Sequence, residues 1–312
     1  MLFKEFKTIF DLIDSFPDEQ SCIDFLEHHK WGNNPISPFD PSSKVWKCKN
    51  SRYKCRNTGK YFNIKSNTIF EGSRVPLRKW FITIWFITTK NKGMSSVQLS
   101  KQISVDQKTA WFMMHRIREC FHIEDDEQLE GVFEADETFA GGKNKNRHND
   151  KKVPMSTGRA FKDKTPVLGI LQRGGVVRCF VIPDTKRESI QPIIKRIIKP
   201  WSTIISDEWS AYKGLDAFYD HHIVDHGRKQ YVNPDNPEIH TNTIEGFWGI
   251  FKRGYNGIYN WMSRKHLQRY MDEFAFRYNH RKKSQSERFY VFLQNIRPRL
   301  KYKQLINTQI WT

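Results

Sequence analysis

The sequence predicts mixed α and β structure, α+β giving way to α/β, in several domains, and three observations carry that reading. Apolar residues recur at helical spacing over residues 5 to 30 and again from 76 to 122. Between these stretches lies a run of short, turn-separated strands. From residue 131 strands come first as hairpins and then in alternation with helices. The parts that follow are an N-terminal helical segment at 1–32, a small β module at 33–70, a helical region at 71–123, a mixed-sheet domain at 131–283 and a C-terminal tail at 284–312. At 312 residues the chain has room for two or three domains with cores of their own.

In the first segment Phe6, Phe10, Ile13 and Phe16, then Cys22, Phe25 and Leu26, are spaced for one buried face, and Pro17 divides two short helices. From Val45 to Phe70 turns fall at Lys49 to Arg52 and Asn57 to Lys60, so short strands are expected between them. No acidic residue occurs between Asp40 and Glu71, whereas Lys44, Lys47, Lys49, Arg52, Lys54, Arg56, Lys60 and Lys65 alternate with Trp46, Tyr53, Tyr61 and Phe62. One uncompensated positive surface interleaved with rings suits phosphate contact; a solvated basic face of an ordinary small sheet is the alternative.

Pro76 opens a Trp-rich helix reaching residue 90, and residues 95 to 122 have helix-turn-helix character. Ser95 or Ser96 caps a helix carrying Val97, Leu99 and Ile103; Ser104 and Val105 make the turn; Asp106 caps a second helix through Ala110, Met113, Met114 and Ile117. Gln107, Lys108 and Thr109 at its start are placed to reach base edges, and Arg116 and Arg118 to reach phosphates. A helical hairpin packed into a larger core has the same pattern.

Lysine and arginine number 52 against 34 acidic residues, a net charge of +18, which points to a polyanionic partner, nucleic acid first. No stretch approaches the ~20 apolar residues that span a membrane, and the run Trp80 to Thr89 is too short. Lys4, Glu5 and Asp11 interrupt any secretory leader, so a cytoplasmic, nucleoid-associated protein is expected. Cys22, Cys48, Cys55, Cys120 and Cys179 are odd in number and scattered, which argues for reduced thiols.

The second half carries the chemistry. GVFEADETFAGG and TPVLGILQRGGVVRCFVI read as three antiparallel strands turning through Arg173, Gly174 and Gly175; Ser189 to Ile198 is a helix, STIISDEWSAY a strand running into a helix, HHIVDH a strand, and 243–255 and 264–281 are helices. That order is expected of a ribonuclease H-like fold. Asp136 lies amid apolar residues of the first strand, Asp207 follows the apolar TIIS, and Glu245 opens the helix beginning at HTNTIEGFW. Sheets of this kind place ligands at the C-terminal ends of strands. Clustered carboxylates repel one another unless a cation joins them, and hard oxygen donors suit magnesium or manganese. Two such ions about 4 Å apart activate a water or 3′-hydroxyl and stabilise the departing oxygen of a phosphodiester. Lys252 lies two turns beyond Glu245 on the same helical face, roughly 10 Å away, where it can hold a phosphate, with Arg253 beside it. Ile244, Phe247, Trp248 and Phe251 form the opposite, buried stripe. Lys143, Lys145 and Arg147 occupy a Gly- and Asn-rich loop after Asp136 that can hold DNA without reading it. The bland alternatives are a surface strand end for Asp136, a helix cap for Asp207 and a solvated charge pair for Glu245 and Lys252.

With these residues in view the chain resembles the ISXO-like transposases, bacterial insertion-sequence enzymes related to the eukaryotic Merlin elements. The motifs that carry the resemblance are TIFEGSRVPLRKWF, KGMSSVQLSKQISVDQKTAWFMMHRIR, EADETFAGGK, KTPVLGI, SDEWSAY, HTNTIEGFWGIFKRG and HLQRYMDEFAFRYN. The resemblance implies that Asp136, Asp207 and Glu245 hold the metal, that Lys252 is the associated basic residue, and that the N-terminal half recognises terminal inverted repeats. Many members carry a zinc ribbon with two Cys-x-x-Cys pairs. Here Ser37 and Asp40 stand where the first pair falls, and Thr58 stands opposite Cys55 in the second. Cys48 and Cys55 cannot complete a four-ligand site. The expectation is a degenerate ribbon without zinc, held by Trp46, Tyr53, Tyr61 and Phe62.

The function expected is that of an insertion-sequence transposase that binds double-stranded DNA, both terminal repeats and target. It cleaves the element's ends and transfers 3′-hydroxyls with two Mg2+ or Mn2+ ions, as a homo-oligomer on DNA and with no membrane partner. A noncatalytic, domesticated DNA-binding protein and a stand-alone nuclease on the same fold are the alternatives.

Overall fold

The structure, a computed structural model, describes residues 4–32, 34–122, 127–141, 148–152, 154, 164–225 and 236–307. These fall into two compact units. One comprises the residues up to 90 with 94–121 and 282–307; the other comprises 91–93 and the stretch from 122 to 281. No helix among the described residues is long and apolar enough to cross a membrane.

In the first unit α1 (Ile9–Ser15) and α2 (Glu19–Trp31) each begin with a reciprocal capping box, from Thr8 and Asp18. They pack with α3 (Leu77–Thr89) through rings: Phe16 meets Phe81 at 4.8 Å, and Phe81 meets Phe289 at 5.4 Å, both edge to face. Phe289 belongs to the helix Gln285–Gln294, so the segment read from the sequence as a tail supplies core to this unit. Phe10, expected on the buried face, is 73% exposed, because Phe6 and Phe16 fill the core from either side of α1. Helices α4 (Ser96–Ile103) and α5 (Gln107–Glu119) follow, with Ser95 capping the first through a box with Gln98.

The β module is a three-stranded antiparallel sheet in the order β1 (Val45–Cys48), β2 (Arg52–Cys55), β3 (Tyr61–Phe62). Tyr53, Cys55 and Phe62 face inward and pack on Trp31, whose ring lies 5.3 Å from Tyr53 and 5.9 Å from Phe62. Trp46 and Tyr61 do not hold this core. Strand alternation turns them to the other face, where each is 51% exposed. The Ser37 hydroxyl accepts the N–H groups of Phe39 and Asp40, and the Asp40 carboxylate accepts from the Asn57 amide at 2.7 Å, tying the loop at 37–40 to the turn at 55–59. Burial raises the Cys55 thiol, but hydrogen bonds with Ser37, Ser43 and Thr58 favour its thiolate and bring it down to about 6.

The second unit is a five-stranded sheet in the order β6-β5-β4-β7-β8. Strands β4 (Val132–Ala140), β5 (Thr165–Gln172) and β6 (Val177–Val181) are antiparallel neighbours. Beyond α6 (Arg187–Ile197), strands β7 (Thr203–Asp207) and β8 (Asp220–Val224) add in parallel to β4. After Asp207 the chain forms a short 3-10 turn at Ser210–Tyr212 in place of the expected helix. Phe133, Ala135, Leu168, Ile170 and Ile204 meet Ile190 and Ile194 of α6 on one face. Val167 and Leu171 meet α7 (Asn242–Gly254) and α8 (Leu267–Asn279) on the other. Burial on both faces is why β5 reads as an almost unbroken apolar run.

One glycine sets the closeness of α7 to the sheet. Gly169 pairs with Asp136 across the ladder, and a Cβ at that position falls 2.4 Å from Cζ2 of Trp248. The indole occupies the space a side chain denies, over the strand position next to Asp136. Gly169→Ala is therefore expected to destabilise the protein by about 1–3 kcal/mol through overpacking, read as a lower midpoint in urea denaturation. An unchanged midpoint contradicts this account of the α7 contact.

Candidate active site

Sheet geometry brings two carboxylates together. In the parallel ladder of β4 and β7, Glu134 stands opposite Ile205, so Asp136 and Asp207, each two residues further on, are neighbours on adjacent strands. They also share a face. Ile204 joins the α6 core while Ile205 lies with Val224 and Ile239 on the α7 side, and alternation carries Asp207 to that same side. Asp136 shares its face with Gly169 and Trp248. Glu245 stands in the first turn of α7, the helix that covers this face, and accepts from the Thr241 hydroxyl at 3.0 Å.

The electrostatics record this closeness. Burial raises the Asp136 carboxyl, and the charges of Asp207 and Glu245 raise it further; the Glu137 amide, 2.8 Å from Oδ1, and the Lys252 ammonium only partly offset this, leaving it at about 7. Asp207 Oδ1 accepts from the Trp209 amide at 3.0 Å, and the Trp209 indole donates to the Thr185 carbonyl, fixing the turn that carries the carboxylate. Three carboxylates in one field form a donor set suited to a hard divalent cation. Among the described residues, no three His, Cys, Asp or Glu side chains are gathered as ligands around one point. Lys252 and Arg253 are exposed in the last turn of α7, Lys252 close enough to act on Asp136.

The neighbouring acids are differently engaged. Glu137 faces the α6 side and accepts from the Tyr212 hydroxyl at 2.5 Å, and Glu208 is exposed beside Asp207. Glu134, fully buried, is the residue that sequence reasoning passed over. Its carboxylate accepts the backbone N–H of Ile244 at 2.9 Å, the Thr243 hydroxyl at 2.8 Å and Nε of Arg173 at 2.8 Å. Helix α7 has no side-chain cap of its own at Thr241, so a strand residue distant in sequence caps it. Arg173 in turn donates to the carbonyls of Glu238 and His240, holding the segment that leads into the helix. Glu245 follows Ile244 directly, so this clamp sets its position. The signal in the sequence was an acid two residues before Asp136, on the same strand face.

The expected DNA-contacting residues are unevenly placed. Lys44, Lys47 and Lys49 are exposed, and the Lys54 ammonium lies 5.5 Å from the Tyr61 ring. The strand register groups Trp46, Arg52, Lys54 and Tyr61 on the outer face of the module and leaves Lys47 on the other, so the basic residues do not form one surface. In α5 Lys108 is exposed, Thr109 is half-buried, and Gln107 donates to the Ser96 hydroxyl at 2.8 Å. Arg116 and Arg118, expected to reach phosphates, are buried instead, and Arg116 donates to the carbonyls of Ile69 and Glu71 because its helix face is the core face. Lys143, Lys145 and Arg147 lie outside the described residues.

Two measurements probe the acids. Glu134→Ala leaves the Arg173 charge and the α7 amide without their shared acceptor, and a loss of about 3 kcal/mol in urea denaturation is expected. Because the folded-state value of Asp136 lies above its ordinary 3.8, the folded chain holds the proton more tightly, and stability falls as pH rises from about 4 to about 7. Asp136→Asn removes that penalty. In metal-free buffer it is expected to raise stability by about 1–3 kcal/mol at pH 8 and hardly at all at pH 4; an equal effect at both pH values contradicts the electrostatic reading.

Comparison with known proteins agrees with the motifs. Residues 128–279 match the ISXO2-like transposase domain. An uncharacterized protein in transposable element ISH50 of Halobacterium salinarum is 28% identical over 279 residues, 85% of this chain and 92% of its own length. An uncharacterized transposase-like protein of Haemophilus influenzae is 28% identical over 103 residues, 32% of this chain and 77% of its own. Among solved structures, a pre-cleavage Mos1 transpososome aligns at 12% identity over 68% of this chain and 77% of that chain, with a TM-score of 0.26. The Mos1 strand transfer complex aligns at 13% over 69% and 73%, with a TM-score of 0.27. Over residues 128–279 the chain is thus similar to the ISXO2-like transposase domain, and over most of its length to a protein of an insertion element.

Proposed function

We propose that the protein is a DNA transposase of an insertion sequence, with a ribonuclease H-like catalytic unit that cleaves the element's ends and joins their 3′-hydroxyls to target DNA. The observation that carries this reading is the shared field of Asp136, Asp207 and Glu245, two from adjacent parallel strands and one from the helix clamped over them. Asp136, Asp207 and Glu245 are the residues to hold two Mg2+ or Mn2+ ions. Metal bound there supplies activation of the attacking hydroxyl and stabilisation of the departing oxygen. The chain's own contribution is placement. The Trp209 amide orients Asp207, the Glu134 clamp fixes the turn bearing Glu245, Trp248 packs over Gly169, the strand partner of Asp136, and Lys252 holds a phosphate beside the carboxylates.

The first unit is the part to bind terminal repeats. Lys108 at the start of α5 is the best placed of its neighbours to reach a base edge, since Gln107 is engaged with Ser96. The outer face of the β module, with Trp46, Arg52, Lys54 and Tyr61, offers rings and cations to a backbone. Lys44, Lys47, Lys49 and Thr109, and the loop residues Lys143, Lys145 and Arg147, remain proposed phosphate or base contacts. The loops of the β module are joined by hydrogen bonds in this reading, with no zinc. The DNA-bound form is a homo-oligomer in the cytoplasm.

Asp136→Asn, Asp207→Asn and Glu245→Gln are each expected to reduce end cleavage and strand transfer at least about a hundredfold, while binding to repeat DNA, followed by fluorescence anisotropy, stays within a few-fold of the parent. Glu208→Gln should remain active. If Glu208→Gln inactivates and Asp207→Asn does not, Glu208 is the second ligand. If all four variants bind repeats and the parent neither cleaves nor joins, the protein is a DNA-binding factor.

A further inference from the structure

We propose that a cleft on the flank of α7 receives one unpaired nucleotide of the DNA, beside the phosphate held at Lys252; the assignment rests on the transposase reading above. The cleft, of about 300 Å³, lies within the second unit. Its apolar wall is Phe247, Ile250, Phe274 and Tyr278, and its cations are Lys92, Arg253, Arg277 and Arg281. That volume is at the low end for ligand sites and suits one planar ring system, not a duplex.

The lining selects a ligand that is flat, unsaturated and anionic at once. Phe247 and Tyr278 meet edge to face at 5.4 Å. The Arg281 guanidinium lies 3.9 Å from the Tyr278 ring centre, held there by hydrogen bonds to the carbonyls of Tyr278 and Gly175, so a ring-and-guanidinium stack is already formed. Bases stack on such platforms whatever their sequence. Arg277 is met by Glu273, and no acidic side chain lines the cleft among the described residues, so Lys92 and Arg253 leave it positive. A purely apolar occupant leaves those charges unused, and a bare phosphate leaves the rings unused. A nucleotide uses both.

Position joins this cleft to the reacting strand. Lys92 and Arg253 also line a second, more open hollow with Lys252, Asn256 and Gly257, so one basic track runs from the Lys252 end of the carboxylate site into the ringed cleft. Residues 91–93, between α3 and α4 in sequence, belong to this unit because two glycines seat them. Gly254 allows the last turn of α7 to approach the Lys92 carbonyl, where a Cβ meets it at 2.7 Å. Gly93 adopts φ +90° beside the Tyr259 hydroxyl, which donates to buried Glu273 at 2.6 Å. Lys92 is thereby fixed at the cleft's mouth. The five residues after α7 form a π-helical turn, Tyr255–Tyr259, a geometry that recurs at functional sites.

The test uses the full chain and duplexes bearing the element's terminal repeat, with Ca2+ in place of Mg2+ to prevent cleavage. One mismatched nucleotide is stepped through the positions around the cleavage site, and affinity is read by anisotropy. An already unpaired base costs less to take out of the stack, so at one or two adjacent positions the mismatch is expected to tighten binding by about tenfold. Ile250→Trp, which fills the cleft, and Arg281→Ala, which removes the stacked plane, should each bind the fully paired repeat within about twofold of the parent and lose the tenfold preference. A preference at no position, or one that survives both variants, overturns the assignment. Strand transfer assayed in parallel with Mg2+ separates the two readings: intact transfer without a mismatch preference sinks the cleft alone, whereas a parent that neither distinguishes repeat from scrambled DNA nor joins ends sinks the transposase reading and this one with it.

Discussion

The second unit depends on a single buried carboxylate that joins its strand, its hairpin turn and its functional helix. Glu134 has no access to water, and an unpaired charge there costs several kcal/mol, so its partners are obligatory. Those partners are the Ile244 amide, the Thr243 hydroxyl and the Arg173 guanidinium, drawn from the first turn of α7 and from the β5–β6 turn. A negative charge at a helix N-terminus also favours the helix dipole. The arrangement locks α7 axially at the point where Glu245 leaves it, and Gly169 allows Trp248 to lock the same helix laterally against the sheet.

Given that clamp, strand alternation decides which acids can act together. Asp136 and Asp207 come together because parallel register and a common face coincide at their strands. Glu137, one residue from Asp136, goes to the opposite face and ends against Tyr212. A one-residue difference in sequence thus becomes the thickness of a sheet. The same proximity makes Asp136 a reluctant anion, raised to about 7 by burial and by its neighbours. That repulsion is the electrostatic condition a divalent ion relieves, and it weighs against reading the three acids as independent surface charges.

The first unit shows alternation acting on a basic segment. A sequence with eight cations and no acid between Asp40 and Glu71 suggests one positive surface, yet two-residue periodicity divides it, with Trp46, Arg52, Lys54 and Tyr61 on one side and Lys47 on the other. The inner side is occupied by Tyr53, Phe62 and Trp31. Helical periodicity acts likewise on α5, where Arg116 and Arg118 fall on buried positions and serve backbone carbonyls or the core in place of solvent.

Much of this was legible in the sequence for a definite reason. Strand hairpins, helix caps at Ser95 and Pro76, and the buried stripe of Ile244, Phe247, Trp248 and Phe251 are local patterns, fixed by turn chemistry and by the periods 2 and 3.6. The three acids proposed as ligands could be singled out in the sequence too, since a carboxylate beside apolar strand residues is conspicuous in one dimension. What only the tertiary structure decided is long-range. It made Glu134 the cap of a helix more than a hundred residues away, put residues 282–307 into the N-terminal unit, and turned Trp46 outward while Trp31 went in. It also brought Lys92 beside Arg253. Each of these depends on which faces meet after the elements pack, and periodicity along the chain determines a face without determining its partner.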